Sequence, residues 1–117
     1  MKRVLLIYKK SILSIYGRER RDRRFLRLLK KKDPSVARVH QSHDEHVAAM
    51  AAVREALRQA GCKVETAYRA RIPNGDGFDL VVTLGGDGTL LEAARSVGDT
   101  PVLAVNSAPS SSYGFFC

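Results

Sequence analysis

Little in this sequence sends the chain out of the cell interior. Two cysteines, Cys62 and Cys117, stand far apart with no Cys-x-x-Cys spacing, so neither a disulfide framework nor a thiol metal site is indicated. No apolar run is long. Val4 to Tyr8 is followed at once by Lys9 and Lys10, too short a stretch for a membrane span or the core of a signal peptide. Reduced thiols, no membrane contact and a cytoplasmic location are expected. With 117 residues there is room for one well-cored domain and not for two, so any cleft between domains needs a second wall from elsewhere.

Acidic residues are also scarce in one region, and this decides how the net charge of +8 is read. Residues 9–32 hold eleven of the twenty Lys and Arg against only Glu19 and Asp22, and the rest of the chain is close to neutral. A basic patch so confined suits RNA, DNA or a polyanionic substrate, but a charge run is more often the solvated face of a helix. Aromatics make up 7% of the chain and few interrupt the basic run to stack bases, which makes nucleic acid an unlikely partner.

What is present is a hydrophobic content of 44% arranged in short blocks. Arg3–Tyr8 (RVLLIY) reads as a strand buried on both faces of a parallel sheet. Glu19–Lys31 sets Phe25, Leu26, Leu28 and Leu29 among charges at helical spacing, before Asp33-Pro34 ends the pattern. Ser42-x-x-Glu45 has the form of a capping box, and Val47, Met50, Val53, Leu57 and Ala60 then trace one helical stripe closed by a left-handed Gly61. Lys63–Tyr68 alternates as a strand, and Asn74-Gly75 and Asp76-Gly77 mark a loop. Asp79–Leu84 is a second buried strand, Leu90–Val97 a short helix, Pro101–Val105 a further buried strand and Asn106–Ser112 a polar loop. This order predicts an α/β fold with an open, mainly parallel sheet and flanking helices, with ligands at the carboxyl ends of its strands.

The chemistry concentrates in TLGGDGTLLEAA, Thr83–Ala94. A buried strand that runs through glycines into a helix aims backbone N–H groups outward at a positive helix end, which is an anion site. Gly85, Gly86 and Gly88 are expected to supply unusual dihedrals and to let phosphate oxygens approach the backbone. The Rossmann fingerprint fails, because Leu91 stands where its third glycine belongs, and no Gly-Lys-Ser/Thr is present for a P-loop. Asp87 is out of place in a turn that only binds phosphate. Either it has a further task, holding Mg2+ or accepting a proton from a hydroxyl that attacks phosphorus, or it or Thr89 simply caps the helix.

GGDGT after an apolar strand resembles the phosphate-binding motif of the NAD kinases and of their relatives, the diacylglycerol, sphingosine and 6-phosphofructokinases. Pro101-Val102-Leu103-Ala104-Val105-Asn106, a polar loop and Gly114-Phe115-Phe116 resemble the NAD-kinase pattern in particular, and no Pro-x-Gly-Thr-x-Asn stretch of the lipid kinases is present. The length of Asn106–Gly114 and the segment Leu28–His46 look closer to the mitochondrial-type branch. The resemblance implies the N-terminal domain of an enzyme that moves the γ-phosphoryl group of ATP to the 2′-hydroxyl of NAD, giving NADP. It implies that Asp87 activates that hydroxyl as general base or electrostatic partner. Gly85, Gly86, Gly88 and Thr89 would cradle the phosphates of ATP, with Mg2+ offsetting charge, and Leu91 and Phe115 match positions beside the NAD adenine. Leu91 and Phe115 are also open to ordinary core packing. Asn106, at a strand end by the crevice, is placed either to bind a ligand or to satisfy its own turn.

The family reads NAD with an Asn-Glu pair and other polar residues on a β-rich domain further along, and this sequence reaches Cys117 before them. The chain is therefore expected to act with that further C-terminal domain, to turn over little by itself, and to form homo-oligomers only as part of the longer protein. The alternative from another class is a non-catalytic phosphate, nucleotide or RNA-binding module that uses residues 18–32. His40, His43 and His46 recur every third residue at a helix start, where they are open to exposed positions or to a metal. Taken with the absence of a thiol site, no metal ligand is assigned.

Overall fold

The computed structural model describes residues 2–74 and 76–109. Its centre is a four-stranded, all-parallel sheet in the order β2-β1-β3-β4, with β1 Arg3–Tyr8, β2 Lys63–Tyr68, β3 Leu80–Gly85 and β4 Val102–Asn106. β1 and β3 lie inside the sheet. Their largely apolar sequences follow, since a central parallel strand is covered on both faces: Val4, Leu5, Leu6, Ile7, Val81, Val82 and Leu84 are each at most 1% exposed, as is Thr83. Burying a side chain of this kind contributes about 1.5–3 kcal/mol, so the two strands supply much of the drive to fold. β4 departs from the expectation of a buried strand. It lies at the sheet edge with only β3 beside it, and Leu103 is 55% exposed.

Helices cover the two faces. The parity of the strands assigns each residue to one of them. Even-numbered Val4, Leu6, Val82 and Leu84 pack against Met50, Val53 and Leu57 of the long helix α2, Val39–Gln59. Odd-numbered Leu5, Ile7 and Val81 pack against Ala93 and Val97 at helix α3, Asp87–Ser96. Met50, Val53 and Leu57 of the stripe read for α2 thus form its sheet-facing side, whereas Val47 is 51% exposed and Ala60 is an exposed C-cap beyond the helix. Its start is earlier than the capping box suggested. Ser42 and Glu45 lie within the helix, which begins after Arg38 with no side-chain cap. Its end matches: Gly61 has φ +76°, and Cys62 N–H donates to Leu57 O while Gly61 N–H donates to Arg58 O, a Schellman closure.

The expected helix over 19–31 is two pieces. A π-helical segment, Leu13–Glu19, buries Gly17 against Leu13 and Phe25, and helix α1, Arg23–Lys30, starts at Asp22, whose carboxylate accepts from Phe25 N–H at 2.8 Å. Non-glycine residues in left-handed conformation bracket α1, Arg21 at φ 49° and Lys32 at φ 55°. Every Lys and Arg from Arg18 to Lys32 is exposed.

Candidate functional site

All four strands deliver their carboxyl ends to one edge of the sheet, and the polar residues of the chain meet there. β3 ends in buried Gly85, Gly86 precedes α3, and α3 starts at Asp87 rather than at Leu90. Gly86 brings no side chain to cap the helix, whose first N–H groups therefore face outward at its positive end. The opening helical bond runs from Leu90 N–H to Gly86 O at 3.3 Å.

The glycines work differently from the expectation. Among the described glycines, positive φ falls on Gly61, Gly77 and Gly98, and not on Gly85, Gly86 or Gly88. Gly85 is required by close approach instead. A Cβ there would collide with the Thr89 hydroxyl and lie 3.2 Å from Lys9 Cγ. At Gly86 a Cβ would meet nothing, and at Gly88 it would touch the Arg69 guanidinium at 3.5 Å. Thr89 is 0% exposed, and its hydroxyl makes no hydrogen bond. An unsatisfied buried hydroxyl costs about 1–3 kcal/mol, so it marks a place where an acceptor or donor is wanted.

Asp87 is half-buried in the first turn of α3, where a carboxylate interacts favourably with the helix dipole. It does not cap α3; the capping position belongs to Gly86, and Thr89 lies inside the helix. Asn106 pairs with Gly85 across β3 and β4, and its side-chain oxygen accepts from Ala108 N–H at 3.1 Å, closing its own turn. Ser107 N–H donates to Gly85 O at 3.2 Å. Leu91 is 47% exposed and takes no part in the core, which leaves an apolar side chain open to a ligand. Phe115 lies outside the described residues, as does the Gly114 that fixed the loop length used to compare branches.

The three histidines do not converge. His43 Nδ1 is 2.6 Å from Ser11 Oγ, and His46 Nδ1 is 2.7 Å from Ser107 Oγ, so α2 is tied to the ends of both β1 and β4. Burial, and after it the charge of Lys9, lowers the pKa of His46, against a hydrogen bond with the Lys9 backbone that raises it. The surroundings of His46 thus favour its neutral ring over the charged one. Among the described residues no group of three or more His, Cys, Asp or Glu side chains is placed to hold a metal ion.

Two cations that the sequence did not single out as site residues stand at the same edge. Lys9 and Arg69 directly follow β1 and β2, and both continue the odd-numbered row that faces α3. Strand parity was the available signal, but it needed the register to be read.

The comparisons with known proteins agree with this geometry. A family model, ATP-NAD kinase N-terminal domain, matches residues 4–115. The chain belongs to the NAD kinase family. It is 48% identical over 46 residues to an NAD kinase of Haloarcula marismortui, covering 34% of this chain and 16% of that protein. It is 73% identical over 30 residues to one of Citrifermentans bemidjiense, covering 24% and 10%, and 58% identical over 43 residues to one of Geotalea daltonii, covering 35% and 14%. The matched stretches thus span no more than 16% of the length of these curated relatives. Membership in the NAD kinase family does not favour the alternative of a non-catalytic module built on residues 18–32. No helix among the described residues is long and apolar enough to cross a membrane.

Proposed function

We propose that this chain is the nucleotide-binding part of an NAD kinase that transfers the γ-phosphoryl group of ATP to the 2′-hydroxyl of the NAD adenosine ribose. The observation that carries the reading is the β3–α3 turn: a buried strand, a glycine that tolerates no side chain, and an uncapped helix N-terminus with Asp87 in its first turn. In this reading Gly85, Gly86, Gly88 and Thr89 hold the phosphates, and Asn106 supports the neighbouring strand end. Leu91 and Phe115 lie beside the adenine of NAD.

The step is a displacement at phosphorus. The 2′-oxygen forms a bond to the γ-phosphorus, the bond from that phosphorus to the bridging oxygen of ADP breaks, and the hydroxyl proton passes to the Asp87 carboxylate. In such a transfer the protein contributes mainly position and charge, so Asp87 also serves by fixing the angle of attack. Mg2+, when bound with ATP, neutralises phosphate charge. The chain's own residues aim the helix end and exclude a Cβ from the phosphate path.

The reading includes a partner domain. A C-terminal, β-rich part of the same enzyme would supply the rest of the NAD site, and subunit contacts would form through it. A cytoplasmic setting goes with these substrates. The test is NADP formation from ATP, Mg2+ and NAD by the full reading frame that contains this chain, compared with its Asp87→Asn form. Collapse of turnover in Asp87→Asn with ATP binding kept supports the assignment. A folded, full-length protein that forms no NADP overturns it.

A further inference from the structure

Lys9 and Arg69 stand over the β3–α3 turn from the side opposite β4. Lys9 Cγ lies 3.2 Å from the place of a Gly85 Cβ, and the Arg69 guanidinium 3.5 Å from that of a Gly88 Cβ. Arg69 is fixed there by Glu92, one turn into α3, at 2.5 Å. Lys9 is half-buried and has no carboxylate in salt-bridge range among the described residues. Burial first, and then the charge of Arg69, lower its pKa. A cation held out of water next to another cation is unfavourable unless a third, negative group completes the arrangement. Within the same few ångströms lies the Thr89 hydroxyl, wholly buried and without a partner, close enough to Gly85 to forbid a side chain there.

We propose that Lys9, Arg69 and the Thr89 hydroxyl bind the phosphate chain of the nucleotide together with the α3 N-terminus, making a site for several linked phosphates rather than for one. This rests on the kinase reading for the nature of the ligand. The helix end alone offers a small partial charge suited to a single phosphate group. Two full cations from the ends of β1 and β2 extend the positive track across the sheet edge. Arg69 presents a planar fork that suits two phosphate oxygens at once, and Lys9 a point charge. Glu92 is a positioning residue: it holds Arg69 over Gly88 and leaves the outer side of the guanidinium to the ligand.

The experiment is calorimetric titration of the whole chain, without Mg2+, with orthophosphate, AMP, ADP, ATP and inorganic tripolyphosphate. Affinity is expected to rise with the number of linked phosphates, and tripolyphosphate to compete with ATP. Lys9→Met and Arg69→Met are each expected to weaken ATP at least tenfold while changing AMP less than threefold, and Lys9→Arg to recover most of the loss. Thr89→Val keeps the shape of the side chain, and is expected to leave the melting temperature unchanged or raised while weakening ATP several-fold. Arg24→Gln removes one exposed charge elsewhere and is expected to stay within twofold. Equal weakening by Arg24→Gln, or unchanged ATP binding in folded Lys9→Met and Arg69→Met, overturns the proposal, as does failure of the unsubstituted chain to prefer ATP to AMP. The two readings separate cleanly. If ATP binding depends on Lys9 but the full-length protein makes no NADP, the kinase assignment falls and the polyphosphate site stands. If NADP formation depends on Asp87 while Lys9→Met leaves ATP untouched, the reverse holds.

Discussion

The basic segment 18–32 and the turn 85–89 hold the most unusual residues of the chain, and they differ in how those residues are placed. In the first, every Lys and Arg is exposed. Arg20 lies over the Tyr16 ring at 5.1 Å, and α1 is flanked by left-handed Arg21 and Lys32, where a Cβ is strained by about 1 kcal/mol. In the second, a side chain added at Gly85 meets a buried hydroxyl and the Lys9 stem, and one added at Gly88 meets the Arg69 guanidinium. Charge counted along a sequence therefore says little about where an anion is bound. What matters is which cations a fold holds still and partly dry.

That contrast can be broken by measurement. The largest effect is expected at Asp87: Asp87→Asn should lower NADP formation by about 100- to 10,000-fold, the usual worth of a positioned acid or base, with little change in melting temperature. Gly85→Ala should come next. The added methyl collides with Thr89, and a loss of about 1–3 kcal/mol in urea unfolding is expected, with ATP binding lost alongside. Lys32→Gly should move stability the other way, by about 0.5–1 kcal/mol. Lys32 occupies the left-handed position of a Schellman closure, with Lys32 N–H donating to Leu29 O and Asp33 N–H to Leu28 O.

His46 offers a smaller, pH-dependent effect. Its folded pKa is lowered below the ordinary 6.5, so on acidification the unfolded chain takes up a proton that the folded chain refuses. Its contribution to stability is full above about pH 6.5, shrinks as the pH falls below that value and levels off below the folded pKa. Urea midpoints at pH 7.5 and 5.5 should show this decline, and His46→Gln should flatten it. The smallest effect belongs to the basic segment: Arg24→Gln should change stability by less than about 0.5 kcal/mol and leave NADP formation unaltered. A large effect there would mean that the segment contributes to the reaction after all.

Much of the fold was legible because central parallel strands leave a strong trace. Val4–Ile7 has no polar residue and Leu80–Leu84 only Thr83, and β1 and β2 fall at the expected bounds. The α2 stripe and its Gly61 closure were readable for the same reason, since both are local patterns. The starts of helices were not. Ser42-x-x-Glu45 matches a capping box by composition, but the helix begins at Val39 without one, and Gly86 starts α3 with no side chain to announce it. Burial of β4 was overestimated because a composition of Val, Leu and Ala cannot tell an edge strand from an inner one. Within the site, Gly85 to Thr89 were recognisable as a motif, yet the reason for Gly85 is a contact with Thr89 and Lys9 that no local dihedral rule contains. Lys9 and Arg69 depend on strands far apart in sequence coming into register, information that appears only with the sheet.

The parallel arrangement of β1 also bears on the birth of the chain. None of its strand partners is local: β1 pairs with Lys63–Tyr68 and Leu80–Leu84, and Arg3 N–H donates to Asp79, 76 positions away. A ribosome releases β1 first, and this most apolar strand must wait for β2, and later β3, before either of its edges is paired. Throughout that interval RVLLIY is an unguarded ribbon of hydrogen-bonding groups, open to the same segment of another nascent copy. The lysines that immediately follow it, Lys9 and Lys10, put like charges next to one another when copies pair side by side, which opposes that pairing.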